Sequence, residues 1–442
     1  MIASRAWAGK KYAVLGLARS GLATVDALLS AGARVWAWDS RAEVVEELCS
    51  SRALRLPAQA GAQGELAPRE SKWRDAGAHQ RFSTSLETNG ELEFGDPLTL
   101  DLTGFEAVIV SPGVPLNRHP IGPHAAAHGV PVIGDVELFA QARGELPPHK
   151  VVGITGTNGK STTTALVHHI LKTAGVPTLM GGNIGLPILS QEPLPEGGVY
   201  VLELSSFQID LTCTLDCDVA VLLNITPDHL DRYDSFEAYA ASKARLFEMS
   251  SGVAIRGEQP GLDQSRWPAL QGPHNAQNAA AAMAVCAALG LAGEQIEQGL
   301  RTYPGLPHRM ERVAERSGVL FVNDSKATNS TSTAPALAAY PKIRWILGGL
   351  AKTDELDACA PHFGHVRSAY TVGEAGPLLA RILRPHMAVA ECGTLDRAVA
   401  QAASDAEPGD TVLLSPACAS YDQFRDYEAR GEAFRDAVGA LP

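Results

Sequence analysis

The sequence lacks any apolar run long enough to cross a bilayer, so we do not expect the chain to insert into a membrane. It also lacks a surplus of basic residues, because 37 Lys and Arg stand against 49 Asp and Glu for a formal net charge of −12. Nucleic acids and anionic membrane surfaces both favour a basic face, so neither is expected as a partner. The first ten residues contain no apolar stretch of the secretory type, which predicts a cytoplasmic protein.

Cysteine is scarce and scattered along the chain. The seven cysteines are odd in number, and none of them forms a Cys-x-x-Cys pair. This spacing predicts free thiols and argues against a zinc site. Hydrophobic residues make up 45% of the chain, which is typical of a globular protein rather than a disordered one.

The chain of 442 residues is too long for one hydrophobic core, and we predict an α/β protein of three domains. Residues 11–16, 20–31 and 34–39 read as a strand, a helix and a second strand. Between Ala53 and Pro97 this periodicity fades, which predicts a surface insertion. The expected domains are a Rossmann-like N-terminal domain (1–147), a central P-loop ATPase-type domain with a mostly parallel sheet (148–305), and a Rossmann-like C-terminal domain (306–442).

The most informative motif begins where the apolar strand 151–155 enters a glycine-rich turn. A helix is expected to start at Lys160, so backbone N–H groups and the helix N-terminus can hold a triphosphate. Lys160 can reach the terminal phosphates, and Ser161 can place a hydroxyl on Mg²⁺. The strict P-loop pattern has glycine where this chain has Ile154. A helix cap with a surface lysine is the alternative to a nucleotide site.

Residues 16–21 form a second glycine-rich turn between a strand and a helix. Asp39 ends the next strand, and a glycine-rich turn followed by such an acid is typical of a dinucleotide-binding site. The middle glycine of that pattern is Ala18 here, which hinders close approach of the backbone to a pyrophosphate. Tight packing of the turn without any ligand is therefore an open alternative.

Two further residues are expected on the same sheet edge as Lys160. Glu203 ends the buried strand 199–203, the position at which P-loop folds place a carboxylate that holds Mg²⁺. A glutamate that caps the following turn is the alternative. His229 follows the buried run 219–225, and a histidine in a loop is usually only polar surface.

Lys243 lies unexpectedly on an apolar helix stripe. It is spaced at i+4 from Tyr239 and one turn before Leu246 and Phe247. Lysine usually extends its amine past such a stripe to water. Burial would instead lower its pKa and supply a neutral amine that can react with CO₂.

Polar residues also gather around the predicted junction of the second and third domains. Asn275 and Asn278 open an Ala-rich helix and could pair with an adenine edge, although helix capping explains one of them. Arg309, Asp324 and Lys326 follow at the junction itself, a usual place for a site that closes during turnover. Each of these three could also be a solvated surface charge.

Taken in order, these motifs resemble those of the Mur ligase family, which are ATP-dependent amide-forming enzymes of peptidoglycan synthesis. The resemblance is carried by residues 155–162, 203–208, 323–329 and 414–424 and covers nearly the whole chain. The last two segments are similar to the branch that adds D-glutamate. The chain departs from the family in the 53–97 insertion and in a short 250–274 segment.

The resemblance implies a role for individual residues. The catalytic residues would be Lys160, His229, Lys243 and Lys326. ATP would be bound by Thr155, Gly156, Thr157, Asn158, Gly159, Lys160, Ser161, Thr162, Asn275, Asn278, Arg309 and Asp324. The UDP-linked substrate would contact Arg19, Ser20, Asp39, Ser40, Arg41, Ser111, Gly113, Asn183, Ser205 and Gln208. D-glutamate would be held by Thr328, Lys352, Ser420 and Tyr427. Mg²⁺, at two positions and replaceable by Mn²⁺, would be ligated by Ser161, Glu203, His229 and a carbamylated Lys243.

The expected reaction joins D-glutamate to UDP-N-acetylmuramoyl-L-alanine with ATP through an acyl phosphate. A nucleotide-dependent switch that makes no bond is the rival from another class, and it has no need of a second metal position. A dehydrogenase built on the first domain is disfavoured by Ala18 and by the P-loop. A folate-polyglutamate type of ligase fits residues 414–424 poorly.

Overall fold

The computed structural model describes residues 1–41, 44–45, 48, 80–82, 90–229, 231–257, 261–351 and 353–441. The chain divides into two compact units. The first contains Met1–Gly257 with Ala284–Gly290, and the second contains Glu258–Met283 with Leu291–Pro442. In the described ranges, no helix has both the length and the apolar character that a membrane span requires.

The first unit contains two sheets, of which the first is built from the N-terminal part of the chain. Its strands are β1 (Lys11–Leu15), β2 (Arg34–Trp38), β3 (Gln80–Phe82), β4 (Glu91–Phe94), β5 (Ala107–Val110) and β6 (Val132–Ile133). The strand order is β3-β4-β2-β1-β5-β6, and only the β3–β4 pair is antiparallel. The helices are α1 (Arg19–Ser30), α2 (Ile121–Ala127) and α3 (Asp135–Ala142).

The second sheet of this unit is parallel throughout, in the order β11-β10-β7-β9-β8. Its strands are β7 (His149–Thr155), β8 (Thr178–Gly182), β9 (Gly198–Glu203), β10 (Val219–Leu222) and β11 (Val253–Arg256). The helices are α4 (Lys160–Thr173), α5 (Ser206–Asp210) and α6 (Phe236–Glu248). Strands β7, β9 and β10 are continuous apolar runs because both faces of a parallel sheet are covered.

The two sheets of the first unit share one hydrophobic core, to which residues such as Leu28 and Tyr200 both belong. The ring of Phe139 on α3 packs against the ring of Tyr200 on β9, with centroids 5.0 Å apart. The buried Glu137 carboxylate accepts hydrogen bonds from the backbone N–H groups of Cys213 (2.7 Å) and Thr214 (2.9 Å). These contacts hold the two sheets together within the unit.

The second unit is built on a six-stranded sheet in the order β12-β13-β17-β14-β15-β16, in which only β12–β13 is antiparallel. Its strands are β12 (Glu311–Arg316), β13 (Val319–Asn323), β14 (Ile343–Gly348), β15 (Val366–Val372), β16 (Ala388–Gly393) and β17 (Thr411–Leu414). The helices are α8 (Gly293–Thr302), α9 (Ser330–Ala339), α10 (Gly376–Leu383), α11 (Leu395–Asp405) and α12 (Tyr427–Gly439). Helix α7 (Pro273–Ala288) contributes residues to both units.

The structure confirms an α/β chain with mostly parallel sheets and corrects two predicted boundaries. Strand β4 lies inside the predicted insertion, where it pairs with β2 and fully buries Leu92. Residues 53–79 and 83–89 of that insertion lie outside the described residues. The strand predicted over 219–225 ends at Leu222, because Asn224 turns its backbone and side chain toward the glycine-rich turn that follows β7.

Candidate active site

The turn between β7 and α4, residues 156–159, is called the phosphate loop below. Gly156 has a φ of 154° and Gly159 a φ of 84°, both in the region that favours glycine. A Cβ atom at Gly156 would lie 3.0 Å from the Cβ atom of Leu223. The backbone therefore makes a close turn directly before the N-terminus of α4, a location that attracts anions.

Asn224 holds the phosphate loop in this shape. Its carbonyl oxygen accepts from the backbone N–H of Thr157 (2.8 Å), and its side-chain oxygen accepts from the N–H of Asn158 (2.9 Å). Its side-chain amide donates back to the carbonyl oxygen of Asn158 (3.1 Å). Sequence reasoning missed Asn224, although a polar residue directly after the apolar run of β10 was a usable signal.

Lys160 is the first residue of α4, and its side chain folds over the loop. Its Nζ donates to the carbonyl oxygens of Gly156 (3.0 Å) and Thr157 (2.8 Å). Ser161 and Thr162 follow in the first helical turn and are nearly buried. The amine, the loop and the helix N-terminus thus form one cationic end that suits a chain of phosphates.

Lys243 on α6 is buried, as a position on the apolar stripe allows, and is only 2% exposed. Its Nζ donates a 2.9 Å hydrogen bond to the carbonyl oxygen of Gly156 and lies 4.8 Å from the centroid of the Tyr239 ring. Burial, helped by the charge of Lys160 and opposed by nearby carboxylates, lowers the pKa of Lys243 to about 7. A large share of this amine is therefore neutral at neutral pH, the form that reacts with CO₂.

Tyr239 joins several of these residues, and sequence reasoning gave it no role beyond helix spacing. Its hydroxyl lies 3.1 Å from Oγ1 of Thr157, and its ring centroid lies 6.2 Å from the ring of His229. Together with the contact to Lys243, this places Tyr239 between the phosphate loop, helix α6 and the His229 loop. No local pattern in the sequence pointed to this role.

Glu203 ends β9 beside the phosphate loop and is 2% exposed. Its Oε1 accepts a 3.0 Å hydrogen bond from the side-chain amide of Asn183. Its Oε2 is buried and lacks a hydrogen-bond partner among the described residues. A buried carboxylate oxygen without a partner is costly, and a bound cation would offset that cost.

His229 lies in the loop formed by residues 227–229 and 231–235, called the His229 loop below. It has a φ of 52°, which is unusual for a residue other than glycine. Its side chain is about half exposed, with Nε2 3.6 Å from a carboxylate oxygen of Asp228. Its ring packs on that of Phe207 with centroids 5.0 Å apart.

Among the described residues, no three His, Cys, Asp or Glu side chains group closely enough to hold a metal by themselves. Mg²⁺ commonly uses one or two protein carboxylates and completes its coordination with substrate phosphates and water. The unpartnered Glu203 oxygen beside the phosphate loop fits that pattern of binding. The Glu203 carboxylate is therefore suited to a metal that arrives with a nucleotide.

The second glycine-rich turn, residues 16–21, follows strand β1 of the first sheet. Gly16 has a φ of 90°, and its carbonyl oxygen accepts from the Ser111 hydroxyl (2.8 Å). The Asp39 carboxylate accepts from the backbone N–H of Leu17 (2.7 Å) and from Arg41. Burial would raise the pKa of Asp39, but these hydrogen bonds and the Arg41 charge lower it. Asp39 thus stabilises the turn itself.

The remaining residues expected at the UDP-linked substrate are distributed over the first unit. Arg19 donates to the carbonyl oxygen of Gly185 (3.3 Å), which connects α1 to the segment after β8. Ser205 and Gln208 form a capping box at the start of α5. Exposed positions are occupied by Ser40, Arg41, Gly113 and Asn183, whereas Ser20 and Ser111 are half-buried.

Four residues expected at the nucleotide lie in the second unit. Burial raises the pKa of Asp324 to about 7, against hydrogen bonds from Ser415 and Met310 and the charge of Arg309. Asn275 and Asn278 are buried and bonded to each other, Nδ2 of Asn278 donating to Oδ1 of Asn275 (3.1 Å). The Nε atom of Arg309 is buried and lacks a partner among the described residues.

The residues expected at D-glutamate also belong to the second unit, except that Lys352 lies outside the described residues. Nζ of Lys326 lies 5.5 Å from the centroid of the Tyr427 ring. Ser420 is buried in the loop after β17, and Thr328 is half-buried before α9.

Arg430 on α12 connects the loops that carry these residues and was missed by sequence reasoning. Its guanidinium is 2% exposed and has no ion pair with a described carboxylate. It donates to the hydroxyl and carbonyl oxygens of Ser325 (3.0 and 2.9 Å) and to three carbonyl oxygens, of Gly348, Cys418 and Ala419. All five of its N–H groups thus fix the ends of β13, β14 and β17. An arginine in an exposed-looking helix offers no sequence signal for this role.

Comparison with known proteins supports the same family throughout the chain. Residues 154–259 match the family model described as Mur ligase middle domain, and residues 308–418 match that of the Mur ligase, glutamate ligase domain. The chain is 57% identical to a Novosphingobium aromaticivorans protein over 100% of its own length and 97% of the relative. It is 56% identical to a Sphingopyxis alaskensis protein and 52% identical to a Zymomonas mobilis protein, in each case over the full length of both chains. All three relatives are named UDP-N-acetylmuramoylalanine--D-glutamate ligase. The chain belongs to the Mur ligase family.

Solved structures of more distant proteins share the fold. A UDP-N-acetylmuramate-alanine ligase from Thermotoga maritima aligns with a TM-score of 0.54 at 14% identity, over 98% of this chain and 99% of that one. A MurF ligase from the same organism, in complex with ADP, aligns with a TM-score of 0.52 at 17% identity, over 76% of this chain and 90% of that one. At such identities the likeness concerns the fold alone.

Proposed function

We propose that this enzyme forms an amide bond between UDP-N-acetylmuramoyl-L-alanine and D-glutamate at the expense of ATP, in peptidoglycan precursor synthesis. The observation that carries this proposal is the 52–57% identity, over the full chain, to relatives that bear the corresponding name. The phosphate loop, Lys160 and the unpartnered Glu203 carboxylate support the use of a nucleotide with a metal. Free thiols on the described cysteines suit the reducing cytoplasm, where we place the enzyme.

Each of the three proposed domains would contain one of the three sheets. Residues 1–147 would hold the UDP-linked substrate at the Gly16 turn and Ser111, residues 148–305 would hold ATP, and residues 306–442 would hold D-glutamate. This division follows the rule that ligands bind at the carboxyl ends of parallel strands. The first unit would then contain the first domain and most of the second in one shared core, while Glu258–Met283 and residues 291–305 of the second domain belong to the second unit.

The chemistry must overcome the poor reactivity of a carboxylate, whose leaving group would be an oxide. An oxygen of the L-alanine carboxylate attacks the γ-phosphorus of ATP, the bond to the bridging oxygen breaks, and ADP leaves. The product is an acyl phosphate with a good leaving group. Lys160 would offset charge on the transferred phosphoryl group, which is the main contribution a protein makes to such a step.

The donor set for the metal would be Ser161, Glu203, His229 and a carbamylated Lys243. Mg²⁺, at two positions and replaceable by Mn²⁺, would neutralise phosphate charge when bound. Lys243 is suited to carbamylation because its amine is buried, has a pKa lowered to about 7 and donates to the Gly156 carbonyl oxygen.

In the second step, the amine of D-glutamate attacks the acyl carbon, and the tetrahedral intermediate loses phosphate and a proton. Lys326 would lie by the reacting groups, while Thr328, Lys352, Ser420 and Tyr427 would bind the acceptor. Arg430 fixes the ends of three strands that carry this set, so it would support the segments that bind the acceptor. Asn275 and Asn278 would contact adenine, Asp324 the ribose and Arg309 the phosphates.

ADP release tests the proposal directly. The enzyme would be incubated with ATP, Mg²⁺ and UDP-N-acetylmuramoyl-L-alanine, together with a panel of D- and L-amino acids. We expect multiple-turnover ADP release and a new amide product only with D-glutamate, because the acyl phosphate formed without an acceptor accounts for one ADP per enzyme. Continued ADP release without an acceptor would indicate the switch alternative, and preference for another amino acid would refute the assigned acceptor.

A further inference from the structure

Two loops of the first unit are joined by hydrogen bonds that the proposed reaction does not use. One is the His229 loop, and the other is the segment 111–118 after β5, called the Ser111 loop. Arg232 donates to the carbonyl oxygens of Val114 (2.8 Å) and, more weakly, Gly113 (3.5 Å). In return, the side chains of Asn117 and Arg118 each donate to the carbonyl oxygen of Asp231 (3.0 Å).

The same arginine also supports the loop that carries His229. Its guanidinium carbon lies 4.1 Å from the centroid of the Phe207 ring, a cation–π contact. His229 packs on that ring as well, and Tyr233 stacks parallel to it at 6.0 Å. Arg232 therefore touches both the Ser111 loop and the aromatic ring against which His229 is placed.

The Ser111 loop follows β5 and contacts the glycine-rich turn that follows β1. The Ser111 hydroxyl donates to the carbonyl oxygen of Gly16. A ligand that contacts this turn would therefore also restrain the Ser111 loop. His229 keeps a φ of 52°, a conformation that persists only where the surroundings enforce it. A ligand that orders the Ser111 loop would also hold Arg232 in place. Arg232 would in turn hold the Phe207 ring, against which His229 packs.

We propose that Arg232 is a positioning residue that couples occupancy of the UDP-substrate site to occupancy of the metal and nucleotide site. The inference rests on the proposed function for the identity of the two ligands. It goes beyond that function by assigning communication between the sites to one side chain. Coupling of this kind is reciprocal, so each ligand should raise the affinity for the other by the same factor.

Isothermal titration calorimetry without D-glutamate measures this factor, because no ligation can then occur. UDP-N-acetylmuramoyl-L-alanine would be titrated into the enzyme alone and into the enzyme saturated with Mg²⁺ and a non-hydrolysable ATP analogue. In the wild type we expect affinities that differ by about fivefold or more. In Arg232→Ala the ratio should fall to about one, while each ligand alone keeps its affinity.

Arg245→Ala is the matched control, because Arg245 donates to the carbonyl oxygen of Thr212 and has no hydrogen bond to the Ser111 loop. It should retain the wild-type ratio. Arg232→Lys keeps the charge but loses the planar fork, so it should restore only part of the ratio. If Arg232→Ala does not fold, as judged by circular dichroism, Asn117→Ala removes one bond from the opposite side and should lower the ratio.

An unchanged ratio in the folded Arg232→Ala variant would overturn the inference, as would a wild type that binds both ligands without coupling. A wild type that binds neither ligand would instead refute the proposed function. The two failures are thus distinguishable in one set of titrations.

Discussion

Nζ of Lys243 and Nζ of Lys160 donate to the same acceptor, the carbonyl oxygen of Gly156, at 2.9 and 3.0 Å. Two ammonium groups on one oxygen repel each other, and the more buried of them is the one whose charged form is disfavoured. That group is Lys243, which is 2% exposed. The fold thereby places beside Lys160, at the phosphate loop, an amine whose neutral form is readily available near pH 7.

Lys243→Ala should lose most of its ligation activity and regain part of it when a short carboxylic acid such as acetate is added. The reason is that a carbamate on Lys243 would act as a carboxylate, which a small acid can replace in the space left by the side chain. Steady-state assays with and without the acid measure the effect. Full activity of the variant without any additive would contradict the assignment, as would a ¹³C spectrum under CO₂ that showed only a free amine.

Lys243 also makes folding stability depend on pH. Its folded pKa of about 7 lies below the ordinary value of 10.5, so the unfolded chain binds more protons between these values. The free energy of unfolding should therefore rise with pH in that window. Relative to Lys243→Met, the wild type should gain on the order of a few kcal/mol between about pH 7 and about pH 10. Urea unfolding of both proteins in CO₂-free buffer measures the difference, and a difference that stays constant with pH would show that this lysine is not the cause.

Lys160→Ala should abolish ligation and leave binding of the UDP-linked substrate nearly intact. The Gly16 turn follows β1 of the first sheet, whereas the amine of Lys160 donates to carbonyl oxygens of the phosphate loop that follows β7. Calorimetric titration with UDP-N-acetylmuramoyl-L-alanine, beside an ADP-release assay, separates the two effects. A comparable loss of both functions would mean that the sites are not divided in this way.

Lys352→Ala should raise the KM for D-glutamate far more than the KM for ATP or for the UDP-linked substrate. Loss of a charge-assisted partner costs roughly 1.5–3 kcal/mol, which corresponds to about ten- to more than hundredfold in affinity. Initial rates with each substrate varied in turn measure the three constants. A rise in the KM for ATP alone would place Lys352 at the nucleotide and not at the acceptor.

Much of the fold follows from local patterns in the sequence. The apolar runs that become β1, β9 and β17 and the periodic stripe of α1 each predict their own element, because burial on both faces of a parallel sheet requires continuous apolar residues. Strand β4 was not predicted from the sequence. In Glu-Leu-Glu-Phe the acids alternate with apolar residues, and only pairing with β2 makes Leu92 part of the core.

For the candidate site, the sequence by itself determined which residue types meet at the edge of the second sheet. Glu203 ends the apolar strand β9, and Lys160 follows the apolar strand β7 after a short turn. A local pattern was therefore enough to place both residues at this edge. The partners of these residues were decided by the tertiary structure. Asn224, Tyr239, Arg232 and Arg430 act through hydrogen bonds and ring contacts to residues distant in the chain. Such contacts leave no periodicity behind, because their geometry exists only after the sheets have packed and buried the groups that need each other.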